Sequence, residues 1–144
     1  MKHQESKRKK KKNMKKITSL LIMMLLVLTT AVAAAPDADI KFEKTKINLG
    51  TFPEENPIVK CKFKFTNTGD KPLIIHQAVA SCGCTVPRYT KEPVKPGEKG
   101  IIVVTYNGRG KFPGHFKKSI TLRTNAVKKI TRLFIEGDMT PAKH

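Results

Sequence analysis

The sequence contains no tryptophan, and only two tyrosines and seven phenylalanines among its 144 residues. Without tryptophan it cannot have the Cys-Trp-Cys core that marks antibody-type domains. Few aromatic side chains are candidates for exposure, and Tyr89 and Tyr106 are the best of them. Base stacking on single-stranded nucleic acid and stacking on sugars therefore lack a platform. Nucleic acid is not an expected partner.

The motifs of common enzyme classes are also missing. Only 11 Asp and Glu residues are present, and they are scattered, which leaves little material for paired-carboxylate chemistry. The sequence has no Gly-x-Ser-x-Gly and no His-Glu-x-x-His. The glycine-rich stretch 107–114 lacks the Gly-Lys-Ser/Thr of a phosphate-binding loop. We therefore expect no catalytic residues, no cofactor and no enzymatic activity.

The first 35 residues have the three parts of a secretory signal peptide. A basic segment at 7–12 precedes an apolar run at 17–28, and small residues with an Ala-x-Ala pattern follow at 29–35. The pattern predicts cleavage after Ala33 or Ala35, so that residues 1–35 are the signal and residues 36–144 the mature domain. Met14 is an alternative start, because the two lysines after it already make a basic segment.

The first 35 residues also predict where the protein is located in the cell. The apolar run is shorter than the roughly 20 residues that a membrane helix needs, so membrane contact is expected only through an uncleaved signal. The first cysteine is Cys61, far beyond the cleavage site, and the protein is therefore not expected to be a lipoprotein. These features predict an exported protein, periplasmic or secreted.

The mature domain is basic. Of the 29 Lys and Arg residues 20 lie beyond residue 35, against ten of the 11 Asp and Glu residues, which leaves a net charge of +10. Such a charge favours anionic surfaces or polymers through long-range attraction without identifying one. The length suits one domain with a single core.

Hydrophobicity alternates with period two through most of this domain, and no window predicts a useful amphipathic helix. In the clearest case, Val59, Cys61, Phe63 and Phe65 share one face while lysines occupy the other. About seven strands are predicted, near 40–49 (interrupted), 58–67, 72–79, 84–88, 99–106, 115–124 and 129–137. Turn residues separate them at regular spacing. The pattern predicts an all-β, immunoglobulin-like antiparallel sandwich.

Several motifs occur in a characteristic order. They are Phe63-x-Phe65-x-Asn67-x-Gly69, Pro72-Leu73-x-Ile75, Ser81-Cys82-Gly83-Cys84-Thr85, Pro96-Gly97-Glu98 and Gly114-x-Phe116-x-Lys118-x-Ile120. The chain resembles a bacterial family of small exported Ig-like proteins of unknown function, common in Bacteroidetes-type genomes. That family is similar to Hydin-type (ASH) and major-sperm-protein-like domains. The resemblance covers about residues 40–137 and implies an Ig-like sandwich and export, with no established catalytic residues.

The three cysteines are disulfide candidates, because export places them in an oxidising compartment. In an extended segment Cys82 and Cys84 point to the same face, about 6.6 Å apart at Cα, near the upper limit for a bridge. Gly83 permits a bend that shortens this distance. If strands 58–67 and 72–79 form a hairpin, Cys61 lies level with Ala78 and about 13 Å from Cys82. A bridge with Cys61, a reactive 82–84 pair, and unpaired or metal-bound thiols all stay open.

Two alternative functions follow from these cysteines. Cys82 and Cys84 with His76 or His115 could form a soft-metal site, since thiolates and imidazole suit Cu(I) and Zn²⁺. Zinc sites, however, usually have Cys-x(2–4)-Cys spacing with a second matched pair, which this chain lacks. Redox proteins more often carry Cys-x-x-Cys on a βαβ unit. A thiol-redox or soft-metal-binding protein is the alternative hypothesis.

The remaining candidate is a basic patch. Lys60, Lys62 and Lys64 share one strand face, and Arg109 and Lys111 lie in the glycine-rich loop. A plain explanation is a solvated face whose lysines discourage edge-to-edge pairing. The functional hypothesis is a patch for an envelope protein or an anionic envelope polymer. The sequence favours a non-catalytic binding or structural module of the cell envelope.

Overall fold

The computed structural model describes residues 37–142, so the predicted signal peptide lies outside the described residues. Within this range all regular elements are β-strands, and no helix is present that could cross a membrane. The strands are β1 (Ile40–Phe42), β2 (Lys46–Pro53), β3 (Ile58–Asn67), β4 (Ile75–Ala80), β5 (Thr85–Tyr89), β6 (Lys99–Asn107), β7 (Gly114–Thr124) and β8 (Ile130–Thr140).

The strands form two four-stranded sheets. The first sheet has the order β1-β3-β6-β5 and the second the order β2-β8-β7-β4. Every neighbouring pair is antiparallel except β2 and β8, which run parallel. The predicted all-β, immunoglobulin-like sandwich is confirmed, with one parallel pair that the sequence did not indicate.

The opening segment is divided between the two sheets. β1 pairs with β3 in the first sheet, and β2 pairs with β8 in the second. The change takes place at residues 43–45, where the Glu43 N–H donates to the Lys64 carbonyl at 3.1 Å and the Phe134 N–H donates to the Thr45 carbonyl at 2.8 Å. The structure therefore has eight strands, because the interrupted strand predicted at 40–49 is two strands.

The hairpin considered for strands 58–67 and 72–79 does not form. β3 belongs to the first sheet and β4 to the second, and Cys61 lies opposite Val104 of β6, not Ala78. The chain crosses between the sheets because Leu73, before β4, forms an isolated bridge with Val94 through hydrogen bonds of 2.8 and 2.9 Å. This bridge directs residues 72–74 away from β3.

The inward-facing side chains of the alternating strands fill the space between the two sheets. Inward residues of the first sheet include Phe63, Phe65 and Ile102, and the second sheet contributes Leu122 and Leu133, all of them buried. At one end of the core the rings of Tyr106 and Phe116 stack with centroids 3.9 Å apart. Burial of apolar surface, worth about 25 cal/mol per Å², is the main force that holds the two sheets together.

One fully buried amide, the side chain of Asn67, links two connections of the chain to this core. The Asn67 side chain donates through Nδ2 to the carbonyls of Lys71 (2.8 Å) and Val94 (2.9 Å). Its Oδ1 accepts the Gly69 N–H at 3.0 Å. Because all of these groups lie at the crossing between the sheets, the amide fixes the turn after β3 against the segment before β6.

We expect Asn67→Asp to lower the free energy of unfolding by about 3 kcal/mol, because a carboxylate oxygen would then face two carbonyl oxygens and both donated bonds would be lost. Urea denaturation at neutral pH measures this. Asn125→Asp is the matched control, since its exposed amide also donates to a carbonyl (Pro72) and accepts an N–H (Ile74). It should cost less than about 1.5 kcal/mol. Equal losses would contradict the role assigned to Asn67.

Candidate functional site

The three lysines of β3 project outward from the first sheet. Lys60, Lys62 and Lys64 are exposed, because the residues between them pack against the core. Across the strand pair they lie opposite Thr105, Val103 and Ile101 of β6, in that order. The structure therefore brings together this part of the predicted patch.

Three further cations share this face, and sequence reasoning missed them. Arg88 of β5 lies opposite Val103, so Lys62 and Arg88 flank that residue on its two sides. Lys41 of β1 and Lys99 of β6 both lie opposite Thr66. Alternation within each strand places these side chains outward, but only the strand order shows that they share a face with the lysines. We call the outward side chains of Lys41, Lys60, Lys62, Lys64, Arg88 and Lys99 the cationic face.

The charge of this face is not compensated within the sheet. Its four strands contain no Asp or Glu, and none of the six cations forms an ion pair with another described residue. The second sheet differs, since Lys46 lies 2.9 Å from Glu136 and His115 lies 3.0 Å from Asp138. The hydrogen bond from Lys46 holds the pKa of Glu136 below its usual value. The two outer faces of the sandwich thus differ in electrostatic character.

Apolar side chains lie between the cations. Ile58, Val86 and Ile101 are exposed on the same face, with relative accessibilities of 44, 47 and 41%. Val103 lies half-buried among them. A shallow depression at this point is lined by residues of β3, β6 and β5, including Lys62, Ile101 and Arg88. The face therefore offers aliphatic contact as well as positive charge.

Arg109 and Lys111, the other predicted members of the patch, do not lie on this face. They are exposed in the β6–β7 loop at one end of the sandwich. There the Gly108 N–H donates to the Pro57 carbonyl at 2.8 Å. The loop follows the Ile58–Asn107 pair, so its cations extend beyond the end of the sheet instead of adding to its surface.

A disulfide joins Cys82 and Cys84, with their Cα atoms 5.2 Å apart. This is shorter than the extended estimate because residues 82–85 form a turn, in which the Thr85 N–H donates to the Cys82 carbonyl at 3.2 Å. The turn uses no positive φ angle at Gly83. It lies where the chain crosses from β4 in the second sheet to β5 in the first.

The hydroxyl of Thr85 contacts both sulfur atoms of this bridge. Its Oγ1 lies 3.6 Å from Sγ of Cys82 and 3.8 Å from Sγ of Cys84. Thr85 is buried, whereas the two cysteines are half-buried and can be reached from solvent. The arrangement places a potential hydrogen-bond donor beside whichever sulfur would become a thiolate.

Cys61 is joined to neither of these cysteines and is free. It packs against the core from β3, and this burial raises the pKa of its thiol from 9.0 to about 11. At neutral pH it is therefore a neutral and poorly nucleophilic thiol. The thiol chemistry available to this domain lies in the Cys82–Cys84 turn.

The residues of the metal hypothesis lie in separate places. His76 is on β4, near the end of β7 at Thr124, while His115 is at the beginning of β7 beside Asp138. Within residues 37–142 no group of three or more His, Cys, Asp or Glu side chains is placed to hold a metal ion. The structure does not bring Cys82, Cys84, His76 and His115 together.

Solved structures share this fold at low sequence identity. A protein of unknown function from Porphyromonas gingivalis W83 matches with a TM-score of 0.65 and 15% identity, over 77% of this chain and 51% of that protein. The ASH/PapD-like domain 7 of human CEP192 matches with a TM-score of 0.55 and 12% identity, over 81% and 95% of the two chains. The periplasmic chaperone SfaE matches with a TM-score of 0.51 and 12% identity, over 72% and 58%. The chain thus spans about half of the Porphyromonas protein.

A family model described as "Protein of unknown function (DUF1573)" matches residues 40–139. No curated protein matches the sequence. The resemblance drawn from the ordered motifs is therefore confirmed for a family of unknown function with an ASH/PapD-like fold.

Alkylation with iodoacetamide at neutral pH tests the states of the cysteines. We expect almost no adduct on the native protein, since Cys61 is a buried neutral thiol and the other two cysteines are bridged. Unfolding without reductant should give one adduct, and unfolding after reduction should give three. Fast labelling of Cys61 in the native protein would contradict its burial. Three adducts without reductant would contradict the bridge.

Proposed function

Because the chain belongs to the DUF1573 family of proteins of unknown function, we propose an activity from its own surfaces: an exported, non-catalytic binding module of the cell envelope that holds an anionic partner on the cationic face. The observation that carries this proposal is a set of six cations that form no ion pair within residues 37–142, on four strands that contain no acidic residue. Complementary charge of this kind accelerates encounter and sets specificity.

The apolar side chains on the same face support a binding role. Exposed charges alone contribute little affinity, because water and salt screen them. A partner that covers Ile101 and Val86 would remove apolar surface from water and strengthen the contact. The cationic face thus combines attraction at a distance with an apolar contact at close range.

Three features support the remaining parts of the proposal. The leader-like residues 1–35 support export. The likeness to SfaE, a periplasmic chaperone, agrees with a periplasmic location and with binding in place of catalysis. The partner is an envelope protein or an anionic envelope polymer.

Charge reversal tests the cationic face. The triple change Lys60→Glu, Lys62→Glu and Lys64→Glu should weaken binding to polyglutamate and to heparin at least about tenfold at low salt, because it turns attraction into repulsion. The matched control reverses Arg123, Lys129 and Arg132, which are exposed on the second sheet and its β7–β8 loop. Both variants change the net charge equally. Equal loss in both, or none in the first, would contradict a localised binding face.

A second candidate function is thiol–disulfide exchange at Cys82–Cys84. The observation in its favour is the Thr85 hydroxyl within 3.8 Å of both sulfur atoms of a half-buried bridge. A thiolate of a partner protein dithiol would attack one sulfur, form a mixed disulfide and release the other as a thiolate. The partner's second thiolate would then attack the partner's own sulfur in the mixed disulfide, close the partner disulfide and release the remaining cysteine of the 82–84 pair as a thiolate. Two electrons and two protons would thus pass to Cys82 and Cys84, and the partner would become a disulfide.

This exchange predicts that excess dithiothreitol reduces the bridge while the fold, followed by circular dichroism, stays intact. Thr85→Val should slow the reduction roughly threefold to tenfold, since a hydrogen bond to the leaving thiolate is worth about 0.5–1.5 kcal/mol. Cys61→Ser is the control and should leave the rate unchanged. Reduction only under unfolding conditions would contradict the exchange hypothesis.

A further inference from the structure

β3 is paired along only part of its length on the side away from β6. β1 ends at Phe42, and its register covers Phe65–Asn67 of β3, from Ile40 opposite Asn67 to Phe42 opposite Phe65. Beyond the single bond from Glu43 to Lys64, no described residue pairs with β3 on this side. We call residues 58–63 of β3 the open edge.

The free backbone groups of the open edge belong to the lysines. In antiparallel pairing the N–H and C=O of one residue point to the same side. The Lys64 carbonyl accepts from Glu43 on the β1 side, whereas the Asn67 N–H donates to Glu98 on the β6 side. The backbone N–H and C=O groups of the even-numbered residues of β3 therefore point to the open edge. The N–H and C=O groups of Lys60 and Lys62 are thus available to a new strand.

A groove gives access to these groups. It is lined by Lys46, Ile47 and Asn48 of β2, by Lys62, Phe63 and Lys64 of β3, and, at the end where β1 leaves the sheet, by Glu43 and Lys44. A strand laid along the open edge would alternate its side chains between the cationic face and this groove. Acidic side chains suit the first position, and small apolar side chains suit the second, beside Ile47 and Phe63.

We propose that the open edge binds an extended acidic polypeptide of alternating acidic and apolar residues, which adds as a fifth strand to the first sheet. This inference rests on the proposed function and names the class of partner that the cationic face takes. Only a polypeptide offers donors and acceptors at the spacing of a strand. Main-chain bonds would supply affinity, and side chains of alternate residues would supply specificity.

The charges argue against a second copy of this chain as the added strand. Pairing of two open edges would bring lysines opposite lysines, and like charges directly across a strand pair are destabilising. An acidic residue opposite Lys60 or Lys62 reverses the sign of this interaction. The open edge therefore excludes its own copies and accepts a strand of opposite charge.

Two isomeric peptides test the strand addition. Both have the sequence Glu-Val-Glu-Val-Glu-Val-Glu with blocked ends; one is N-methylated at the two internal Glu residues and the other at the first two Val residues, so that each carries two methyl groups. In an antiparallel strand the Glu N–H groups face β3, so Glu methylation should weaken binding at least about tenfold, and Val methylation should leave it within about threefold of the unmethylated peptide. The reverse result would support a parallel strand. Calorimetry with the exported protein measures both affinities.

The outcomes separate this inference from the proposed function. Equal binding of the two isomers would overturn strand addition and leave the cationic face as a general anion site. Binding of heparin without binding of the unmethylated peptide would do the same, and would identify a non-peptide polymer as the partner class. If neither ligand binds, the proposed function itself is overturned.

Discussion

The change of sheet at residues 43–45 is the constraint on which this sandwich and its binding surfaces depend. Within these three residues the backbone stops bonding to β3 at Lys64 and begins to bond to β8 at Phe134. The crossing lets β2 cover one edge of the second sheet, where its half-buried Ile47 and Leu49 pack against the core. The same crossing deprives β3 of a partner. Closure of the core and exposure of a binding edge are therefore one structural event.

The two sheets divide the basic charge of the domain unequally. In the second sheet Lys46 forms an ion pair with Glu136, so part of the charge is neutralised locally. In the first sheet the lysines of β3 follow one another at every second residue, about 7 Å apart, which is less than the Debye length of about 8 Å at physiological salt. Their fields therefore add at close range, although salt screens them at a distance. A net charge alone would not have distinguished the two faces.

Much of the fold follows from local sequence pattern, but its pairings do not. Alternation of apolar and polar residues, strict from Val59 onward and looser in 116–124, predicts β3 and β7, since a half-buried strand requires it. The turn residues after Asn67 predict a reversal without specifying the sheet that the chain joins, and the bond from Asn67 to Val94 spans 27 residues. The sequence identifies only part of the cationic face, because local pattern does not specify which strands are neighbours. Three lysines lie at every second position of one strand, whereas Lys41, Arg88 and Lys99 join them only through strand order.

Lysines on an open edge are usually explained as preventing edge-to-edge aggregation, and this explanation is compatible with binding of an acidic strand. Such lysines prevent pairing because they would lie opposite each other, like charge against like charge, when the edges of two copies meet. In β3 the lysines that would oppose each other are Lys60 and Lys62, whose backbone N–H and C=O groups face the open edge. The charge that rejects a basic strand attracts an acidic one to the same hydrogen-bonding groups. Exclusion of wrong partners and selection of the right one thus rest on the same side chains, an economical basis for specificity.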